Sequence, residues 1–60
     1  MNNTDKEASM VVDFLHQEIA VWRATKQDFR AGSEVLLEIE GKIRDIEKVI
    51  YSIEEVYAVE

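Results

Sequence analysis

Seven apolar side chains, Leu36, Ile39, Ile43, Ile46, Ile50, Ile53 and Tyr57, recur at alternating spacings of three and four residues without a phase slip. That period puts all of them on one stripe of an α-helix and alternates them between the faces of a strand. The stretch is therefore expected to form a long helix packed lengthwise against other helices. With Leu36 at heptad position a and Ile39 at d, the e positions are Glu40, Glu47 and Glu54, and the g positions are Val35, Lys42, Val49 and Val56. The apolar arc widens toward g and stops at an acidic row on the e side. A face that broad suits two neighbouring helices rather than one. Isoleucine at both a and d points the same way, since it shifts parallel coiled coils away from dimers toward higher strand numbers.

Upstream of this seam, Ala31, Gly32 and Ser33 form the strongest turn signal in a chain with no proline and only two glycines. Gly32 suits a left-handed C′ conformation, Ser33 an N-cap, and Glu34 the first turn of a following helix. At the other end, Thr4 and Glu7 have the spacing of a capping box. These signals predict a flexible start over residues 1–3, helix 1 over about 5–30, a turn at 31–33 and helix 2 over about 34–58. The helices have nearly equal lengths of about 38 Å at 1.5 Å per residue, and the turn between them is short. The fold class is thus all-α, an antiparallel two-helix hairpin forming a single domain over residues 1–60. Gly41 falls at position f, away from the seam, so helix 2 is expected to run through it.

Helix 1 is more broadly apolar. Ala8, Val11, Val12, Leu15, Ile19, Trp22 and Phe29 form one stripe, and Met10, Phe14 and Val21 form another, with Glu18 and Thr25 between them. One stripe is enough to cover helix 2. A chain of 60 residues without cysteine has little core and no disulfide with which to hold itself together. Two hairpins associating as a homodimeric four-helix bundle satisfy both the spare stripe and the need for a larger core. The expected oligomer interface comprises Phe14, Leu15, Val21, Trp22 and Phe29 with the seam residues Leu36, Ile39, Ile43, Ile46, Ile50 and Ile53.

Net charge is −6, with −1 over residues 1–31 and −5 over residues 32–60. That field disfavours nucleic acid and anionic membranes and favours a basic protein partner. The N-terminal sequence has no basic n-region followed by an apolar core, and no apolar run approaches the ~20 residues of a membrane span. Both features predict a cytoplasmic protein without a membrane segment. There is no glycine-rich phosphate loop, no nucleophile beside a base and no convergent carboxylate pair, so no enzyme activity, cofactor or small-molecule substrate is expected. Asp13 and His16 have the E-x-x-H type of spacing found in metal-binding bundles, yet both belong to the polar side of helix 1, and no metal site is expected there. Arg23, Lys26 and Arg30 share one face of helix 1. In length and layout the hairpin resembles the plasmid-copy-number RNA-binding hairpins, a resemblance of architecture that gives an RNA-binding regulator as an alternative reading.

Glu18 lies among Val11, Leu15, Val21, Trp22 and Thr25, roughly level with Asp45 and within about a turn of Lys42. A partly buried Glu18–Lys42 pair or a seam-edge carboxylate that fixes register is expected, with a base received from a partner as the functional alternative. Leu37, Arg44 and Tyr51 occupy successive b positions beside Glu40 and Glu47, a composition typical of interface hot spots, and are candidates for partner binding. The acid-rich end of helix 2, with Glu54, Glu55 and Glu60, opposes the helix dipole and should fray alone. Val56, Tyr57 and Val59 would anchor a partner there. The functional expectation is a non-enzymatic protein–protein interaction module: an adaptor, assembly factor, chaperone-like or regulatory protein. An acidic inhibitor that imitates nucleic acid through Glu40, Glu47, Glu54 and Glu55 is the other alternative.

Overall fold

Helix α1 (Asn3–Lys26) starts two residues before the position that the Thr4–Glu7 pattern predicts, because Asn2 and not Thr4 is its N-cap. The Asn2 Oδ1 accepts the Asp5 backbone N–H at 2.7 Å, and asparagine caps at least as well as threonine. Asn2 and Asn3 therefore belong to the cap and first turn rather than to a flexible start. The computed structural model describes residues 2–59; the remainder of that expected start, Met1, and Glu60 of the acid-rich end lie outside the described residues.

At its far end α1 stops at Lys26, four residues short of the expected Arg30. Gln27, Asp28 and Phe29 donate their N–H groups to Ala24, Thr25 and Lys26 at 3.2, 3.0 and 3.2 Å, so the bonding tightens to i→i−3 before the chain turns away. Along the inner stripe the position after Trp22 is Lys26, which is half-buried and does not belong to the apolar core. Phe29, expected on helix 1, thus lies in the connection and is 40% exposed.

Gly32 has φ +84°, the left-handed conformation expected of it, but it serves the entry to the second helix rather than the exit from the first. Ser33 follows as the N-cap of α2 (Glu34–Val56), its Oγ accepting the Leu36 N–H at 3.1 Å. Helix α2 runs unbroken through Gly41. It ends at Val56, two residues before the expected limit, and Tyr57 turns to extended backbone at φ −119°, ψ 150°. Tyr57 therefore leaves the helical seam, and the chain beyond it folds back. Ala58 donates its N–H to the Asp5 carboxylate at 3.2 Å, and Val59 packs against the core.

The two helices pack as an antiparallel hairpin 44 Å long and 11 Å in its thinnest direction. Val12 and Ile19 of α1 interleave with Ile39, Ile43 and Ile50 of α2, and Leu15, Trp22, Ile46 and Ile53 pack against them half-buried. The a/d seam of α2 is therefore spent largely inside the hairpin. Burying a side chain of this kind is worth about 1.5–3 kcal/mol. Among the described residues no polar or charged side chain is buried, and no helix is long and apolar enough to cross a membrane.

Candidate interaction surface

The hairpin has two broad faces of opposite character. On one, the groove between the helices is lined by Leu15, Glu18, Lys42, Asp45, Ile46 and Val49, and it continues toward the turn past Trp22, Thr25, Phe29, Val35 and Glu38. On the other, the corresponding grooves are lined by His16, Arg23, Glu47 and Tyr51 and then by Lys26, Glu40 and Arg44. The Trp22 face is apolar with a few charges. The Arg23 face is a lattice of opposite charges, in which Arg23 and Glu47 approach to 3.9 Å.

Exposure along α1 sharpens this division. Phe14 is 59% exposed, Val21 63% and Val11 47%. Val11 was expected on the inner stripe with Val12, but it belongs with the outer residues. Glu7, Val11, Phe14, Glu18, Val21 and Thr25 follow each other at spacings of four and three, the pattern of a second seam. The inner seam, Ala8, Val12, Leu15, Ile19, Trp22 and Lys26, is the same row displaced by one residue. One residue is about 100° of helix rotation, close to the angle between two neighbours of one helix in a four-helix bundle. Helix α1 thus presents one row to α2 and another, at nearly a right angle, that the hairpin leaves open. On α2, Val35 and Val49 extend the same open face and are 46% and 48% exposed. Met10, 70% exposed, marks its outer rim.

Of the residues expected at an oligomer interface, Phe14, Leu15, Val21, Trp22 and Phe29 border this open face, with Ile46 and Ile53 half-buried at its edge. Ile39, Ile43 and Ile50 are only 5%, 7% and 2% exposed and belong to the intrachain core, with Leu36 half-buried at its turn end.

Glu18 and Lys42 lie in one groove, as their levels predict, but they do not form the expected pair. Glu18 is half-buried and Lys42 exposed. Instead of meeting the carboxylate, the Lys42 ammonium lies over the Trp22 ring, 5.6 Å from its centroid. Such a contact is worth about 0.5–1 kcal/mol at an exposed site. Sequence reasoning missed it, although counting back from the turn puts residues 22 and 42 level, whereas 18 lies about a helical turn further along.

The partner candidates sit elsewhere. Leu37 and Tyr51, each 60% exposed, and exposed Arg44 run along the margin of the charged face. Tyr51 borders its groove beside His16, and Arg44 borders the groove beside Glu40. Glu40 and Glu47 are half-buried, and Tyr57 is 38% exposed. The basic trio separates: Arg23 and Lys26 border one groove, whereas Arg30 lies beyond the end of α1. His16 and Asp13 are exposed. Comparison with protein-family models, curated proteins and solved structures gives no match to this chain.

Proposed function

We propose that this chain is a small helical protein–protein interaction module that works by self-association through its Trp22 face, completing a four-helix bundle. The observation that carries the reading is the second seam of α1: apolar residues at Val11, Phe14 and Val21, one residue out of register with the core row and 47–63% exposed. Isolated exposed apolar residues are ordinary on a protein surface. A heptad row of them, set at a bundle angle to the first, is a packing surface awaiting a helix. The thinness of a two-helix layer supports the same reading, because the six buried side chains among the described residues are a small core for such a chain.

With the Trp22 face covered, the charged face and the Leu37–Arg44–Tyr51 margin remain available for another protein. An adaptor, assembly factor or regulator would use them for that purpose. Sedimentation equilibrium with circular dichroism, from micromolar to millimolar chain, tests the first step. A helical dimer is expected. A helical monomer at millimolar concentration would overturn self-association and leave the second seam to a different protein.

A further inference from the structure

We propose that the second copy is recognised by charge as well as by shape: across the Trp22 face, Lys42 of each hairpin pairs with Glu18 of the other. The proposal rests on the self-association reading and adds the groups that make the face select its own copy.

Four charged groups line this groove and its continuation toward the turn, the carboxylates of Glu18, Asp45 and Glu38 and the single ammonium of Lys42, so the base is the scarce group that each copy has to offer. Glu18 is half-buried between Leu15 and Ile46, beside Val49, where a carboxylate loses part of its hydration and gains from an opposite charge. Lys42 is the base that lines the same groove, with Asp45 alongside. Within one chain these groups do not pair. The Arg23–Glu47 contact is on the opposite face, and Lys42 rests over the Trp22 ring, 5.6 Å from its centroid, on an exposed side chain that a second hairpin can reach.

Closed two-fold association makes such a set self-complementary. In an isologous contact, residue i meets residue j of the partner and j meets i, so one glutamate and one lysine per chain give two ion pairs. An apolar surface around them excludes water and strengthens each pair, while a helix with an uncharged or acidic residue opposite Glu18 would leave that carboxylate covered and unmatched. Shape would admit many amphipathic helices to the second seam; the charges favour those that carry a base level with Glu18, and the chain's own Lys42 is one.

Charge exchange tests this directly. Glu18→Lys and Lys42→Glu, each alone, are expected to weaken self-association by about tenfold or more, whereas the double exchange restores it and an equimolar mixture of the two single variants associates as a heterodimer. Circular dichroism of each variant reports whether the hairpin persists, and Glu18→Gln with Lys42→Gln supplies a milder pair should either reversal disrupt it. Single-variant losses that simply add in the double exchange would overturn the cross-pair while leaving the dimer intact. A wild-type chain that stays monomeric to millimolar concentration would overturn the self-association reading, and the cross-pair with it.

Discussion

The carboxylate of Asp5 accepts the backbone N–H of Ala58 at 3.2 Å, so the first turn of α1 holds the segment that follows α2. Asp5 works twice, since its own N–H is the one bound by the Asn2 cap. Removing the acceptor with Asp5→Ala should cost about 0.5–1.5 kcal/mol and speed amide exchange at Ala58. Asp5→Asn, which keeps an acceptor oxygen, should recover most of the protection. Unchanged exchange at Ala58 in the alanine variant would show that Val59 packing alone retains this segment.

Gly41→Ala should stabilise the hairpin by about 1 kcal/mol, because alanine is the better helix former and the site has room. A Cβ there would meet only an Arg44 guanidinium nitrogen at 3.9 Å, an ordinary contact. Urea unfolding at fixed chain concentration measures the gain. Greater stability accompanied by weaker association would instead reveal a backbone approach at this position.

Gly32→Ala should act in the opposite direction. A Cβ at Gly32 meets nothing within 4 Å, yet φ +84° places any L side chain in the left-handed region. The expected cost is about 1–2 kcal/mol, read as a lower urea midpoint with unchanged slope. An unaltered midpoint would mean that the connection relaxes to a different turn at no cost.

Core and open face should separate under substitution. Ile50 is 2% exposed, and Ile50→Ala should destabilise the fold by about 2–5 kcal/mol. Phe14, at 59% exposure, does little for the isolated hairpin, so Phe14→Ser should shift the midpoint of association and leave unfolding of the monomer nearly unchanged. Sedimentation and thermal unfolding, each run across a concentration series, distinguish the two. Equal loss of monomer stability in both variants would count against two independent rows.

Trp22, the single tryptophan, reports on the open face without a label. It is half-buried under the Lys42 ammonium in one hairpin. Covering the face should move its emission to shorter wavelength as chain concentration rises, along the same curve as sedimentation. A sedimenting dimer with no emission change would place the interface elsewhere.

The hairpin was legible in the sequence because its strongest signals are local and periodic. The isoleucine row fixed α2, and Ser33 after Gly32 marked where it starts. The ends of the elements were less legible for identifiable reasons. Asn2, Asn3 and Thr4 are three successive competent caps, and the pattern alone does not choose among them. Helix α1 ends at Lys26, followed by Gln27, with no glycine or proline there to mark the stop. The Lys42–Trp22 contact escaped notice because a glutamate one helical turn away offered the more familiar partner, and the Asp5–Ala58 bond joins residues 53 apart, which no local motif encodes.

The one-residue offset between the two rows of α1 gives this chain an unusual sensitivity to indels. Deleting a single residue ahead of one helical turn would rotate everything beyond it by about 100° and turn Asp13, His16 and Ala20 toward α2, whereas a single insertion rotates it the other way and turns the outer row there. In most amphipathic helices that change puts charges into the core. Here it would trade Val12, Leu15 and Ile19 for Val11, Phe14 and Glu18, a substitute interior that is poorer by a carboxylate but still largely apolar. The same insertion would carry Val12, Leu15 and Ile19 onto the flank now held by Asp13, His16 and Ala20, beside the charged face. Of the two length changes, only the insertion leaves α2 a largely apolar row to pack against.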